Sequence, residues 1–495
     1  MARKSRRERH GAEWQKGSLC CENRFDRQGL PSYTVDLSEV EEQIMEEREG
    51  FNNRLGFILV SAGCAIGIGN VWRFPYMVGE NGGAVFVLFY LIFLVLMGVP
   101  VLTMELAVGR ASGLTVMQGM KKLEKPGHKW HMHGWVCVIG SALLMMYYTT
   151  VSGWMLAYFW KFLKGDFENI GAEELGKSFD RLTGDTGMML IFVAIVVVLG
   201  FLVLSFGVQK GLEAVNKFMM IGLFGLILAL VVNSILLKGS GEGIKFYLLP
   251  DFERAAASGW IHVISQSMTQ AFFTLSVGIG TMEIFGSYMS KDRTITGESI
   301  RIIGLDTFVA LMAGLIIFPA CFSYGVEPDQ GPSLIFETLP RIFVDMEGGR
   351  IWGALFFLFM VFASFSTVTA VCENLVRTFM DNLGWSRIRS VIANFFLILF
   401  GSVPCVLGFS IWKDVEVGGM NVLSLEDFIV SNILLPGGSL VFACFCCWKF
   451  GWGAEKYLEE TNTGKGIRMS PKLIPYFKYI LPLLILFILI KSIFQ

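Results

Sequence analysis

The sequence predicts an all-α polytopic membrane protein made of two halves of similar plan, with the first and sixth helices broken in mid-course. Three observations predict it. Apolar residues make up 53% of the 495-residue chain and charged residues 17%, with mean hydropathy +0.56, too apolar for an ordinary soluble domain. Apolar stretches of about 20 residues, the length that crosses a bilayer, recur eleven times from Arg54 onward. Two of them are interrupted by matching tetrads, Gly67-Ile68-Gly69-Asn70 and Gly278-Ile279-Gly280-Thr281.

Residues 1–50 come first, a charged tail with no hydrophobic period, which predicts disorder to about Val40. The tail lacks the apolar core of a secretory signal, so the first crossing helix is expected to target the chain. The expected crossings are 54–79, 84–109, 135–163, 186–206, 211–237, 260–289, 299–323, 351–381, 388–409, 423–448 and 473–492. The first break is costly. Each glycine disfavours helix by about 1 kcal/mol relative to alanine, and Asn70 is a polar group at mid-depth. A break is tolerated where its freed backbone groups line a cavity, carbonyls holding cations and amides facing an anion. Glycine pairs also mark close helix packing, which stays open as a reading of either tetrad alone. Two breaks at corresponding places point to inverted repeats: residues 51–237, residues 260–449, and an appended helix at 473–492.

The loops orient the bundle. Lys121, Lys122, Lys125 and Lys129 follow the second crossing, Lys210 and Lys217 the fourth, Arg377, Arg387 and Arg389 the eighth, and Lys449, Lys456, Lys465, Arg468 and Lys472 the tenth. All fall on one side, which the positive-inside rule makes cytoplasmic, with the N-terminus inside and the C-terminus outside. Loops 164–185 and 324–350 lie opposite, and the segment Ser333 to Phe343 in the second is expected as a re-entrant or surface helix over an entrance. His128, His131 and His133 sit among basic neighbours, which disfavours a zinc site. Eight of the ten cysteines lie in apolar stretches, so no disulfide framework is indicated. Net charge −1 without a basic patch gives no sign of nucleic acid. An intramembrane enzyme would need a catalytic pair within the crossings, where His262, near a helix start, is the histidine available.

Residues 54–110, ending PVLTMELAVGR, together with QAFFTLSVGIG and ASFSTVTAVCEN, resemble the neurotransmitter:sodium symporter family over about residues 45–450. The stretch Asn70-x-Trp72-Arg73-Phe74-Pro75-Tyr76, followed by Glu80-Asn81-Gly82-Gly83, is the most specific part. The resemblance implies a LeuT-like fold, a five-plus-five inverted repeat with eleven helices, in the inner membrane of a bacterium. Met45 resembles the usual start of bacterial members, which makes residues 1–44 dispensable on this reading. The implied activity is sodium-coupled symport of an amino acid, with an ion channel or leak on the same scaffold as the alternative; oligomeric state is left open.

By the same resemblance, two sodium ions are expected and no chloride. The first sodium site would use Ala65, Asn70, Thr274 and Asp306, and the second Gly63, Ile66, Ala363, Ser366 and Thr367. Such ligands suit a hard cation, although serine and threonine in membrane helices also bond back to their own helix. The amino acid would be held by Ala65, Ile68, Gly69, Tyr148, Phe273, Thr274 and Ser276, with its side chain among Leu144, Phe273, Ser276, Ile279, Thr367 and Val371 and Trp154 nearby. Gly67 stands where monoamine carriers of the family place an aspartate, which implies a substrate bringing its own carboxylate. Ile279 and Cys64 stand where leucine-transporting members have phenylalanine and asparagine, implying a wider pocket and a tuned first site. Ala310 occupies the place of the fixed glutamate or chloride-binding serine of relatives, while Asp306 replaces an asparagine and would supply the counter-charge. Arg73 and Asp427 would close the outer side, and Arg48 and Asp381, near Tyr288, the inner side. Glu105 is expected to anchor the broken region of the first helix.

Overall fold

The computed structural model describes residues 50–168, 170, 172–326 and 333–494. Arg48, the tail and Cys20-Cys21 therefore lie outside the described residues. Among the described residues, nine helices are long and apolar enough to cross a membrane, and a tenth crossing is the pair Arg54–Ala65 and Gly69–Glu80, bent by 53°. The expected sixth crossing is two shorter helices, Trp260–Phe273 and Thr281–Ser287, separated by the unwound residues 274–280. Neither half is long enough to span alone.

The first helix begins where Asn53 Oδ1 accepts from the Gly56 N–H at 2.9 Å, a capping bond that satisfies one of its orphan amides. It stops at Ala65 because Ile66 is extended, and Asn70 and Val71 donate back to the Gly67 carbonyl to restart the turn. A widened turn, Gly69–Arg73, then leads into Phe74–Glu80, with Pro75 in its first turn where a missing N–H costs little. The second break is held by backbone: a methyl at Gly438 would meet the Gly278 carbonyl oxygen at 1.8 Å. The tenth crossing thus presses on the unwound segment with the backbone of Leu435 and Gly438.

The two longest helices, Trp130–Lys164 and Gly349–Leu383, pack along each other and form the scaffold. The first half-helix leans on Gly349–Leu383 and on Ile295–Ser323, so both breaks sit at the centre of the bundle. Around them is a core that includes Phe74, Tyr90, Phe272, Phe285, Phe318 and Phe356, all buried. The outside is apolar too. Ile191, Leu202, Phe218, Ile221, Leu228, Phe396 and Leu483 are exposed on the outer helices, a belt suited to lipid and not to water.

Short helices fill the loops. The segment over the entrance forms Leu334–Thr338 and Leu339–Asp345, with Leu334, Phe336, Ile342 and Phe343 buried. His131 lies 2.6 Å from Glu124, and the buried His133 Nε2 lies 3.3 Å from Cys137 Sγ, so the histidine-rich loop is divided between two neighbours.

Candidate functional site

The C-terminal end of the first half-helix supplies oxygen. The last carbonyls of a helix have no intrahelical donor and carry the negative end of its dipole. Thr367 Oγ1, on Gly349–Leu383, lies 3.4 Å from the Gly63 carbonyl oxygen, 3.2 Å from that of Cys64, 3.2 Å from that of Ile66 and 3.4 Å from that of Ala363. One hydroxyl proton can serve only one of these four acceptors. Ser366 Oγ adds a second hydroxyl, 2.9 Å from the Ala363 carbonyl and 3.5 Å from that of Ile66. Acceptors therefore outnumber donors in a fully buried place, the donor set that a hard cation fits. All five residues expected for the second sodium site meet here.

The side chains expected for the first site also converge. Asp306, buried on Ile295–Ser323, accepts from Asn70 Nδ2 at 2.8 Å and from Thr274 Oγ1 at 3.1 Å, joining the two breaks through one carboxylate. Asn70 Oδ1 accepts from the Gly67 N–H at 3.1 Å. Ala65 closes the half-helix and is buried. Gln270, absent from the sequence expectations, donates to the Gly69 carbonyl at 2.9 Å, tying the sixth segment to the first.

Opposite the carbonyls, the restarted helix offers an amide. The Ile68 N–H donates to Tyr148 Oη at 2.9 Å, which places the tyrosine hydroxyl at the positive end of the second half-helix. Glycine is required beside it. A methyl at Gly67 would sit 2.2 Å from Tyr148 Oη and 2.6 Å from Thr367 Oγ1. Ser276 has φ 51°, the single non-glycine positive φ among the described residues, and it falls in the unwound segment where the ligand amine was expected. Backbone strain of this kind costs on the order of 1–3 kcal/mol and persists where the surroundings impose it.

A cavity of about 410 Å³ descends to Ile68, Tyr148 and Phe273. Its walls include Trp72, Trp154, Phe179, Phe336 and Phe409, together with Asp180, Glu337, Arg73 and Asp427. Leu144, Ser276, Ile279, Thr367 and Val371 do not line it, and Leu144, Ile279 and Val371 are buried. Trp154 meets Phe179, Phe336 and Phe409 edge to face at 5.1 to 5.7 Å, so the segment over the entrance forms part of the wall. Arg73 lies over the Phe273 ring at 4.2 Å, its Nε and Nη1 without hydrogen-bond partners, while Asp427 accepts from Ser431 Oγ at 2.7 Å. The expected gate pair thus shares a cavity wall without a hydrogen bond from Arg73 Nε or Nη1.

At the other end, Asp381 pairs with Arg377 at 3.0 Å and accepts from the Thr115 N–H at 3.1 Å. Tyr288 Oη donates to Glu373 at 3.1 Å, and Glu373 is also held by Arg387 at 2.6 Å. Sequence reasoning missed Glu373, although a carboxylate inside an apolar helix was the available signal. Glu105 requires a correction. It accepts from the Gly278 N–H and so anchors the sixth segment, not the first helix. The amide freed at Gly278 needs an acceptor, and the second crossing is the helix packed against it.

The geometry has close counterparts in known proteins. The structure of MhsT in complex with L-phenylalanine superposes with a TM-score of 0.81 at 35% sequence identity, over 90% of this chain and all of the other. A Bacillus subtilis protein named as the uncharacterized sodium-dependent transporter YhdH is 33% identical over 412 residues, covering 83% of this chain and 90% of its own length. A sodium-dependent transporter of Haemophilus influenzae is 30% identical over 459 residues, covering 91% and 99%. The profile of the sodium:neurotransmitter symporter family matches residues 48–169 and 166–495, nearly all of the chain with both breaks and the crowded carbonyls between them. With these matches, the chain belongs to the sodium:neurotransmitter symporter family, whose members are membrane transporters that use sodium.

Proposed function

We propose that the protein carries a neutral, hydrophobic or aromatic L-amino acid into the cell together with sodium, bound at two sites, by alternating access between two inverted five-helix repeats. The observation that carries this reading is the meeting of the Gly63, Cys64 and Ile66 carbonyls and the Ser366 and Thr367 hydroxyls on one side of the first break, with the Ile68 amide and Tyr148 on the other. Carbonyls suit the cations and the amide suits a carboxylate, so an amino acid and sodium complete the site together. The substrate carboxylate would meet Ile68, Gly69 and Tyr148, and its ammonium the carbonyls of Ala65, Phe273 and Thr274 and the Ser276 hydroxyl. Leu144, Ile279 and Val371 carry no charge, which favours an apolar substrate side chain; the phenylalanine bound in the MhsT structure agrees. On this reading the aromatic cavity faces outside, closed by Arg73 and Asp427, and the N-terminus lies in the cytoplasm. Arg48 and Asp381, near Tyr288, act at the inner side. Uptake of each of the twenty labelled amino acids into proteoliposomes, with and without a sodium gradient, tests this function. Sodium-dependent accumulation of an apolar member is expected, and sodium current without amino-acid uptake would favour a leak.

Chloride should be dispensable. Asp306 accepts from Asn70 and Thr274 and would supply the fixed counter-charge, while Ala310, one turn later, offers no ligand. Wild-type uptake is expected to be equal in chloride and gluconate media, and Asp306→Asn to lose uptake unless chloride replaces the missing charge. A wild type that stops in gluconate contradicts the assignment.

A further inference from the structure

Glu283 has no part in the reading above. It lies on Thr281–Ser287, fully buried, and neither carboxyl oxygen has a hydrogen-bond partner. The short helix cannot turn to relieve it. A methyl on Gly286 would reach the Leu106 carbonyl oxygen at 2.3 Å, so the two backbones are in direct contact. The carboxyl itself rests against Gly119 and Ser112: a methyl on Gly119 would lie 2.7 Å from Glu283 Oε1 and 2.8 Å from Ser112 Oγ.

The groups that face it from each packed element offer no positive partner. The second crossing contributes Glu105, whose Oε2 is also without a donor, and Ser112, whose hydroxyl is engaged with Gly109 and Leu114. From the third crossing come Cys137 and, bound to it, His133; from the tenth comes Cys446, which donates to the Met104 carbonyl. Lys122, on Val116–Leu123, reaches the Ser112 carbonyl at 3.4 Å. On the eighth, Glu373 is paired with Arg387 and Asp381 with Arg377, and Arg54 of the first half-helix is bound to Glu298.

An ionised carboxylate buried without donors is costlier than any other arrangement of that group, and a second carboxyl beside it adds repulsion. A metal cation would need several further oxygens, whereas thiols and glycine surround this place. We propose that Glu283 is a proton-binding site, occupied while Thr281–Ser287 is packed on the second crossing and emptied when that contact opens to water. Opening lets water reach the carboxyl, which gives its proton to that water and becomes charged; reclosing requires the proton back. Acid on that side therefore holds the contact shut, and alkali favours opening.

Infrared difference spectra of the purified protein in lipid, taken against deuterated buffer, read the site without reference to transport. A deuterium-sensitive carbonyl band of a buried carboxylic acid is expected in the wild type, lost in the isosteric Glu283→Gln and retained in Glu105→Gln. Uptake by wild-type proteoliposomes should fall when the compartment facing Lys121 and Lys122 is acidified, and Glu283→Gln should lose that dependence. Absence of the band, its survival in Glu283→Gln, or its loss in Glu105→Gln alone would overturn the proposal, as would a variant that keeps the full pH response.

Discussion

Gly67→Asp abolishes uptake of the amino acid, and Gly67→Ala reduces it severely. The alanine effect is spatial: its methyl would lie 2.2 Å from Tyr148 Oη and 2.6 Å from Thr367 Oγ1, so both side chains must move. Overpacking of this kind costs about 1–3 kcal/mol, and the displaced groups are those that hold the Ile68 amide and crowd the Gly63 and Ile66 carbonyls. Aspartate adds a carboxylate where the substrate's own is proposed to bind. About a tenfold to hundredfold loss of affinity is expected for alanine, and no measurable transport for aspartate. Labelled uptake, normalised to protein in the membrane, checks this. Normal transport by Gly67→Asp would mean that the substrate lies elsewhere.

Ser366→Ala combined with Thr367→Ala raises the sodium concentration needed for half-maximal uptake. Both hydroxyls face the carbonyls of Ala363 and Ile66, and Thr367 faces those of Gly63 and Cys64 as well. A hydrogen bond or ligand to a charged group contributes about 1.5–3 kcal/mol, so a shift of about tenfold or more follows if either oxygen binds the ion. Each uncompensated charge moved inward gains about 2.3 kcal/mol per 100 mV of membrane potential, so the double variant should also accumulate less substrate at a given potential. A sodium curve that superposes on the wild type would reject the site.

Both breaks were legible in the sequence because paired glycines, joined by Asn70 in the first, are expensive in a membrane helix, and something must repay them. The positions that meet at the second sodium site were legible only through resemblance. Nothing in a single sequence places Thr367 beside Gly63, some 300 residues away. Glu105 shows the limit most clearly. Its burial told that it needs a donor, and packing alone decided that the donor is Gly278 N–H. Apart from Trp154, the aromatic wall was equally hidden, since Trp72, Phe179, Phe336 and Phe409 come from separate segments with no shared period. The entrance helix was expected, but not that Phe336 would stack on Phe179 at 4.9 Å. Glu373 pairs with Arg387 across the turn between two helices, a spacing with no helical signature.

On the proposed function, one pair of broken helices binds sodium and an amino acid as a single site. Equilibrium binding of a labelled apolar amino acid to the purified protein, titrated in sodium and then in potassium at equal ionic strength, tests it most directly. Because linkage is reciprocal, the amino acid must tighten sodium binding by the factor by which sodium tightens the amino acid. Tight binding in sodium, little in potassium, and equal factors in the two directions are expected. Amino-acid binding of equal strength in both salts would contradict it.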